Sequence, residues 1–308
     1  IVGCAAIDDY LNNVIKKHEN TREEKEQDRI QHVDVCNAQT GPIFLTYRAD
    51  RSLDQIAAEA KQNAPLYDFI APDGVKHVIW RIDREHHISG IPQSFAKIQS
   101  IYIADGHHRA ASAVKVGLQR RQEKPDYTGD EEFNYFLAVF FPDNQLRILD
   151  YNRVVKDLNG YSPQEFLKEV AKKFELEPVG KTPYKPETKA AFGMYLDGIW
   201  YKLKAKGEIL SSDPVDGLDV SLLQNHLLAP ILNITDPRRD ERIDFVGGIR
   251  GLKELERRVN TDMKVAFSLY PTSLAELFAV ADAGRLMPPK STWFEPKLRS
   301  GLLIHELD

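Results

Sequence analysis

Cysteine is scarce in this sequence: Cys4 and Cys36 are the only two in 308 residues. Two cysteines do not make a disulfide framework, and no CxxC pair is present to bind zinc through thiolates. We therefore expect a chain that resides in a reducing, cytoplasmic compartment.

Long apolar runs and a basic excess are also missing. No apolar stretch reaches the roughly 18 residues of a membrane span, and no secretory signal is recognisable. The formal net charge is -5, whereas a dedicated nucleic-acid-binding protein usually carries a basic excess. We expect neither a membrane nor a nucleic acid as partner; oligomeric state stays open. The chain begins at Ile1 without an initiator Met, which we interpret as a fragment or a processed chain.

Short predicted strands and helices alternate along the whole chain. This alternation predicts a mixed α+β protein. We expect two domains, residues 1–145 and residues 146–308, with the boundary near residues 145–160. The second half repeats the α+β pattern of the first, and no internal repeat is visible.

Three local expectations concern the first half and its end. A helix rich in small residues is predicted from residue 107 to residue 116, with Gly117 as its stop signal. The apolar, aromatic run 133–141 predicts a central strand. Residues 146–149 are expected to pair with that strand as a hairpin.

The turn Asp105-Gly106-His107-His108-Arg109 joins an apolar strand to that helix. The unpaired N–H groups and the dipole at a helix start both favour an anion. Glycine allows the backbone to approach the anion closely, and arginine offers a planar cationic fork that suits phosphate. The two histidines add donors that titrate near neutral pH. The turn therefore predicts a phosphate-binding site.

Asp105 is the acidic residue of this otherwise cationic turn. It could bind a metal ion, cap the helix or accept a proton. Two other interpretations of the turn remain open. Asp105 could be only a helix cap beside solvated histidines, or His107 and His108 could bind a metal with a third histidine. Adjacent side chains on a helix point in different directions, which disfavours the metal site.

Four stretches of the sequence carry a family resemblance. They are Ile-Ala-Asp-Gly-His-His-Arg-Ala-Ala at 103–111 and the segments 13–22, 40–45 and 287–297. Together they resemble the family called domain of unknown function 1015 over nearly the whole chain, and segment 287–297 is the most specific. Members of that family usually carry a further N-terminal region, so the resemblance also implies a fragment.

A more distant similarity supplies a reaction. The succession His-Glu-x-Thr, Gly-Pro-Ile and Asp-Gly-x-His-Arg is similar to free serine kinases, which group with ParB-type nucleotide-binding domains and sulfiredoxin. The resemblance implies a ParB/sulfiredoxin-like N-terminal part in which residues 106–109 hold phosphate. Glu19 and Asp105 would be the carboxylates near the transferred group. The long second half and the wide spacing of these carboxylates differ from those kinases and leave the substrate open.

These resemblances lead to one functional expectation and one alternative. The expectation is a kinase that uses ATP or ADP on a small hydroxylated, possibly serine-like, metabolite. Glu19 would act as base, and Mg²⁺ would bind to Asp105 or Glu19. The alternative is a regulatory module that binds or slowly hydrolyses a nucleotide. Sulfiredoxin-like redox chemistry needs a cysteine in the turn, and none is present.

Two further cations could contact substrate or phosphate. Arg22 lies close after Glu19, and Lys290 lies in a proline-flanked segment that predicts an ordered loop. For Lys290 a structural reading is equally open, in which Trp293 and Phe294 simply attach that loop to the core.

Overall fold

The computed structural model describes residues 1–295 and 297–308. The first helices and strands are β1 (Val2–Ala6), α1 (Ile7–Leu11), β2 (Ile15–Lys16), α2 (Glu23–Cys36), β3 (Ala38–Gln39), β4 (Ile43–Tyr47), α3 (Arg51–Ala60), β5 (Tyr67–Ile70), β6 (Lys76–Ile79), α4 (Glu85–Phe95), β7 (Ile101–Asp105), α5 (His107–Glu123) and β8 (Tyr135–Pro142). The later ones are β9 (Ile148–Leu149), β10 (Tyr151–Val155), α6 (Pro163–Lys173), β11 (Phe174–Gly180), β12 (Ala191–Leu196), β13 (Ile199–Ala205), α7 (Asp219–Leu223), β14 (Ile243–Gly247), α8 (Leu252–Thr261), β15 (Val265–Leu269), α9 (Leu274–Asp282), β16 (Trp293–Phe294) and β17 (His305–Glu306).

The chain folds into two compact units. The first contains residues 1–146 together with the described C-terminal residues 297–308, and the second contains residues 147–295. The sequence-based division places the C-terminal residues in the second half instead. They belong to the first unit because β17 pairs antiparallel with β3, with His305 opposite Gln39. Leu307 is also buried in that unit, beside Phe133.

The sheet of the first unit positions the predicted turn. Its strand order is β1-β8-β4-β7-β2. The neighbours β4 and β8 run parallel, whereas β4 and β7 run antiparallel. On this sheet α5 packs through Ala110, Ala113 and Val114, which share one core cluster with Leu45 and Phe136. Small side chains let the helix lie close to the sheet, and mixed strand directions beside packed helices confirm the predicted α+β class.

Helix α5 does not stop at Gly117 as the sequence suggests but continues to Glu123. At Gly117 a Cβ atom would lie 2.5 Å from the carbonyl oxygen of Phe133 and 2.8 Å from Cδ1 of Ile7. The glycine is therefore required by close packing against neighbouring chain, and the prediction of a helix stop was wrong.

The expected hairpin between β8 and residues 146–149 is also absent from the described residues. Both edges of β8 are occupied, by β1 on one side and β4 on the other. Strand β9 pairs instead with β16, placing Leu149 opposite Trp293. A strand whose edges are both paired has no backbone groups left for a further neighbour, so the tertiary partners override the local turn signal.

The second unit is built on an antiparallel sheet in the order β11-β13-β12-β15-β10-β14. Trp200 and Val154 are fully buried against this sheet, where they pack with Leu255 of α8. In the described part of the chain, no helix is both long enough and apolar enough to cross a membrane.

The packing at Gly117 yields a stability prediction. Because the new methyl group would meet a backbone carbonyl, Gly117→Ala should lower the free energy of unfolding by about 1–3 kcal/mol, although alanine is the better helix former. The matched control is Gly90→Ala in α4, where a Cβ would lie 3.4 Å from Ile56 Cδ1. This control should be neutral or stabilising by up to about 1 kcal/mol. Urea unfolding measures both, and equal effects of the two substitutions would contradict the packing argument.

Candidate functional site

The site is built where β7 ends at Asp105 and α5 begins at His107. The connecting Gly106 has φ 97°, in the left-handed region that favours glycine. The helix has no side-chain cap and no acidic residue in its first turn. Its first intrahelical bond runs from the Ala110 N–H to the Gly106 carbonyl, at 2.9 Å. The amides of the first turn therefore have no acceptor within the helix and offer donors to a ligand.

Arg109 folds back over the start of its own helix. A Cβ at Gly106 would lie 3.0 Å from its Nη2 and 3.1 Å from its Nε. The Nε atom is buried without a hydrogen-bond partner, and no carboxylate in the described part of the chain forms an ion pair with this guanidinium. Burial lowers the pKa of Arg109 from its ordinary value, the charge of Asp105 acts in the opposite direction, and the charge of Arg29 lowers the pKa further. A half-buried guanidinium whose Nε lacks a hydrogen-bond partner among the described residues, beside amides without an intrahelical acceptor, has the features of an anion site.

The two histidines of the turn bind a loop rather than solvent. The Nε2 atom of His107 accepts the His18 N–H at 3.4 Å, and the Nε2 atom of His108 accepts the Arg22 N–H at 3.0 Å. Burial, assisted by the charge of His108, lowers the pKa of His107 to about 3. Burial likewise lowers the pKa of His108. Neutral rings can accept these amides; the direct ring contacts with phosphate expected from the sequence stay a prediction.

Glu19 comes to the rim of the turn through these contacts. It is half-buried and lies between His18 and Arg22, the two residues whose amides are bound by the histidines. The hydrogen bonds join positions 86 and 89 residues apart in sequence. The structure thus brings the loop that carries Glu19 to the phosphate turn, as the motif resemblance implies.

Asp105 has a partner that sequence reasoning did not assign. Its Oδ2 atom lies 3.4 Å from Nζ of Lys297, and both side chains are about half exposed. Lys290 lies in the second unit, where its ammonium sits 5.6 Å from the centroid of the Tyr151 ring and its carbonyl accepts from Arg153 at 3.1 Å. The proline-flanked C-terminal segment indicated a contact with the site, but its sequence did not show whether Lys290 or Lys297 would lie beside Asp105.

A cavity of about 310 Å³ opens beside Arg109 within the first unit. Arg29 and His32 line it from α2, Gln39 lines it from β3, and Ser300 closes it from the C-terminal segment. Thr40 and Gly41, which also line it, belong to a stretch that carries the family resemblance. A Cβ at Gly41 would lie 2.8 Å from Ser300 Oγ, so this glycine permits close approach of the C-terminal segment. The sequence alone gave no indication of the cavity.

Basic side chains gather around the turn, although the chain as a whole carries a net negative charge. After burial, the charges of Arg29, Lys25 and Arg22 help to lower the pKa of His108 and the charge of Glu26 raises it, so more basic than acidic groups act on this ring. The whole sequence carries -5. Because exposed charges are screened beyond about 8–10 Å at ordinary ionic strength, these neighbours decide which ligand charge the turn favours.

Uncapped helix amides, an arginine whose Nε has no hydrogen-bond partner among the described residues, and converging cations together form a candidate site for an oxyanion on an α+β fold. The chain belongs to the family described as Protein of unknown function (DUF1015), whose model matches residues 1–221. No curated protein matches the sequence significantly.

Solved structures resemble this chain at low sequence identity. SbnI with a C-terminal truncation, from Staphylococcus aureus, has 12% identity and a TM-score of 0.52, over 98% of this chain and 86% of that chain. A mutant free serine kinase in complex with AMP has 12% identity and a TM-score of 0.48, over 97% and 90%. A conserved hypothetical protein from Pyrococcus furiosus has 14% identity and a TM-score of 0.45, over 97% and 94%. The similarity to SbnI establishes the fold alone.

Burial of His107 predicts a pH-dependent stability. In the folded chain the pKa of His107 is lowered to about 3, whereas an unfolded histidine takes up its proton near pH 6.5. The contribution of His107 is therefore complete above about pH 6.5 and is lost as the pH falls toward 3. This loss of stability should reach about 2 kcal/mol by pH 5.

Urea unfolding from pH 7.5 to pH 5 measures this slope. His107→Asn should make the slope shallower by about 2 kcal/mol over that range, without abolishing it, because burial also lowers the pKa of His18. The exposed His32 supplies the control, and His32→Asn should keep the wild-type slope. Parallel curves for wild type and His107→Asn would contradict the interpretation.

Proposed function

We propose that this protein is a nucleotide-dependent phosphotransferase that phosphorylates a small hydroxylated metabolite, with serine-like amino acids as the first candidates. The observation that carries the proposal is the start of α5, where amides without an acceptor in the helix meet the Arg109 guanidinium, whose Nε has no hydrogen-bond partner among the described residues. Such a site gains most from a ligand with several negatively charged oxygens, and a nucleotide polyphosphate is that kind of ligand.

The nucleotide would place its phosphates on residues 106–109 and its nucleoside in the adjoining cavity. A volume of about 310 Å³ lies at the lower end of the roughly 300–1,000 Å³ found for small-molecule sites. That size suits one mononucleotide and is small for a dinucleotide. The lining offers the Gln39 amide and the Thr40 and Ser300 hydroxyls as hydrogen-bonding groups for the base and ribose. ATP and ADP are both compatible with this arrangement.

Phosphoryl transfer needs positioning, charge stabilisation and a base for the attacking hydroxyl. Arg109 and the first-turn amides would stabilise the negative charge that spreads over the transferred group. Glu19 would accept the hydroxyl proton while the substrate oxygen bonds to the terminal phosphorus. The bond to the bridging oxygen then breaks, and the shortened nucleotide leaves with the electron pair.

Carboxylate oxygens at the rim fit a magnesium ion. Mg²⁺ in kinases is commonly bound by one or two carboxylates together with substrate phosphates, and the partly exposed Asp105 and Glu19 supply such oxygens. The ion would neutralise charge on the phosphate oxygens. Lys297 already compensates the charge of Asp105 in the structure, so it would have to share or yield that carboxylate.

A second candidate, a nucleotide-sensing module, is favoured by one observation. The loop that carries Glu19 is attached to the turn by hydrogen bonds to His107 and His108. An anion at the turn would favour protonation of those rings, and protonated rings could no longer accept the amides. A nucleotide-dependent change of oligomeric state without metabolite turnover would favour this module over a kinase.

Removing the guanidinium should strongly weaken nucleotide binding. Losing a charged hydrogen-bond partner costs about 2–3 kcal/mol, so Arg109→Ala should weaken ADP binding by roughly 30-fold or more in calorimetry. The control is Arg239→Ala, since the Arg239 side chain is 88% exposed in the second unit. Its affinity for ADP should equal that of wild type. Unchanged affinity in Arg109→Ala would place the nucleotide elsewhere.

Glu19→Gln separates binding from transfer. Because the amide keeps the shape but cannot act as a base, ADP affinity should stay near the wild-type value while turnover falls by about 10²–10⁴-fold. The assay incubates ATP or ADP with a panel of hydroxylated metabolites and detects phosphorylated products by mass spectrometry. If wild type binds nucleotide yet yields no product with any acceptor, the kinase proposal fails and the sensing module is favoured.

A further inference from the structure

A cluster of three potential metal ligands lies in the first unit, on helices that contribute nothing to the phosphate turn. Glu59 is in the last turn of α3, and His86 and His87 are in the first turn of α4. From the sequence, the two histidines are expected to lie in an exposed turn. The structure instead buries His87, at 4% exposure, and leaves His86 open to solvent.

The side chains of this cluster converge. The Nε2 atom of His87 lies 2.9 Å from Oε2 of Glu59, and the rings of His86 and His87 have centroids 4.2 Å apart. One ligand atom from each of the three residues lies within 4.8 Å of the others. Neighbouring residues on a helix usually point about 100° apart, so the close approach of these two rings is an unusual juxtaposition.

We propose that Glu59, His86 and His87 form a site for a divalent transition-metal ion, with Zn²⁺ as the best-fitting ion. Ligand atoms about 2.0–2.1 Å from a tetrahedral zinc lie about 3.3 Å from one another. The observed separations of 2.9 Å and up to 4.8 Å bracket that value, so small side-chain rotations suffice. Two imidazoles and one carboxylate suit zinc and leave its fourth position for water or an external ligand.

Two neighbours of Glu59 act in opposite directions on this site. Gln55 donates to Oε1 at 2.8 Å, which orients the carboxylate and leaves Oε2 toward His87. Hydrogen bonds from Gln55 and then His87 lower the pKa of Glu59, which keeps it ionised. Arg84, with Nη1 3.8 Å from Oε2, is a competing cation that a metal ion must displace. It is half exposed and can turn into solvent.

The bound ion would connect the end of α3 to the beginning of α4. Binding to the folded state alone raises stability as the free metal concentration exceeds the dissociation constant. Because the His86 side chain is exposed, the bound ion could exchange with solvent.

The test measures Zn²⁺ binding to the full-length, tag-free chain by equilibrium dialysis with metal analysis, alongside thermal unfolding. We expect one tightly bound ion and a raised melting temperature. His86→Ala is the primary variant, because an exposed side chain can be removed without disturbing the fold. It should weaken binding by more than the roughly tenfold that loss of a supporting hydrogen bond costs. Glu59→Gln should do the same.

Two controls sharpen the outcome. The Sγ atom of Cys36 lies 4.0 Å from Nδ1 of His32, so these two residues could together offer two ligands elsewhere. If the ion binds at Glu59, His86 and His87, Cys36→Ser should leave it in place. Arg84→Gln should tighten binding, because it removes the competing cation, whereas a merely structural role for the cluster predicts no gain. The proposal is overturned if wild type binds Zn²⁺ no more tightly than His86→Ala, or if Cys36→Ser removes the ion instead.

Discussion

The positive end of helix α5 is the feature on which the site depends. Its first-turn amides have no acceptor in the helix, and Arg109 lies over them with its Nε buried and unbonded. Burying a cation while its Nε has no hydrogen-bond partner among the described residues is costly, so a ligand with negatively charged oxygens would satisfy both the amides and the guanidinium. Glycine is needed at position 106 for two reasons. Its φ of 97° lies in the left-handed region that favours glycine, and a Cβ there would lie 3.0 Å from Nη2 of Arg109.

Ring nitrogens that the sequence assigns to ligand binding hold a neighbouring loop in the structure. Sequence reasoning treats His107 and His108 as donors to phosphate that can be neutral or charged, yet both rings accept backbone N–H groups from the loop that precedes α2. Acceptors must be neutral at that nitrogen, and burial enforces neutrality at His107. Positive charge for an anion must then come from Arg109 and neighbouring cations, while the rings fix the position of the loop that carries Glu19.

Local sequence patterns predicted those parts of the fold that local forces decide. Strand β8, at Tyr135–Pro142, lies close to the predicted run 133–141 because aromatic and β-branched runs favour buried strands. The same reasoning failed at Gly117, where a distant carbonyl requires glycine, and at β9, whose partner is 144 residues further on. In the site, the motif indicated the turn and Glu19. The cavity and Lys297 were not predicted, since both depend on how the C-terminal segment packs.

That C-terminal segment resolves an apparent conflict in the charge of the turn. Asp105 at the end of β7 would repel a phosphate bound at the next residues if its charge were uncompensated. Lys297 lies 3.4 Å from it, while Ser300 and Gly301 approach residues 40–41. Residues 297–308 therefore do more than extend the first unit by a strand: they compensate the acidic residue and close the adjoining cavity. An anion site assembled from positions 105–109 alone would be electrostatically weaker and more open than the candidate site that includes the C-terminal segment.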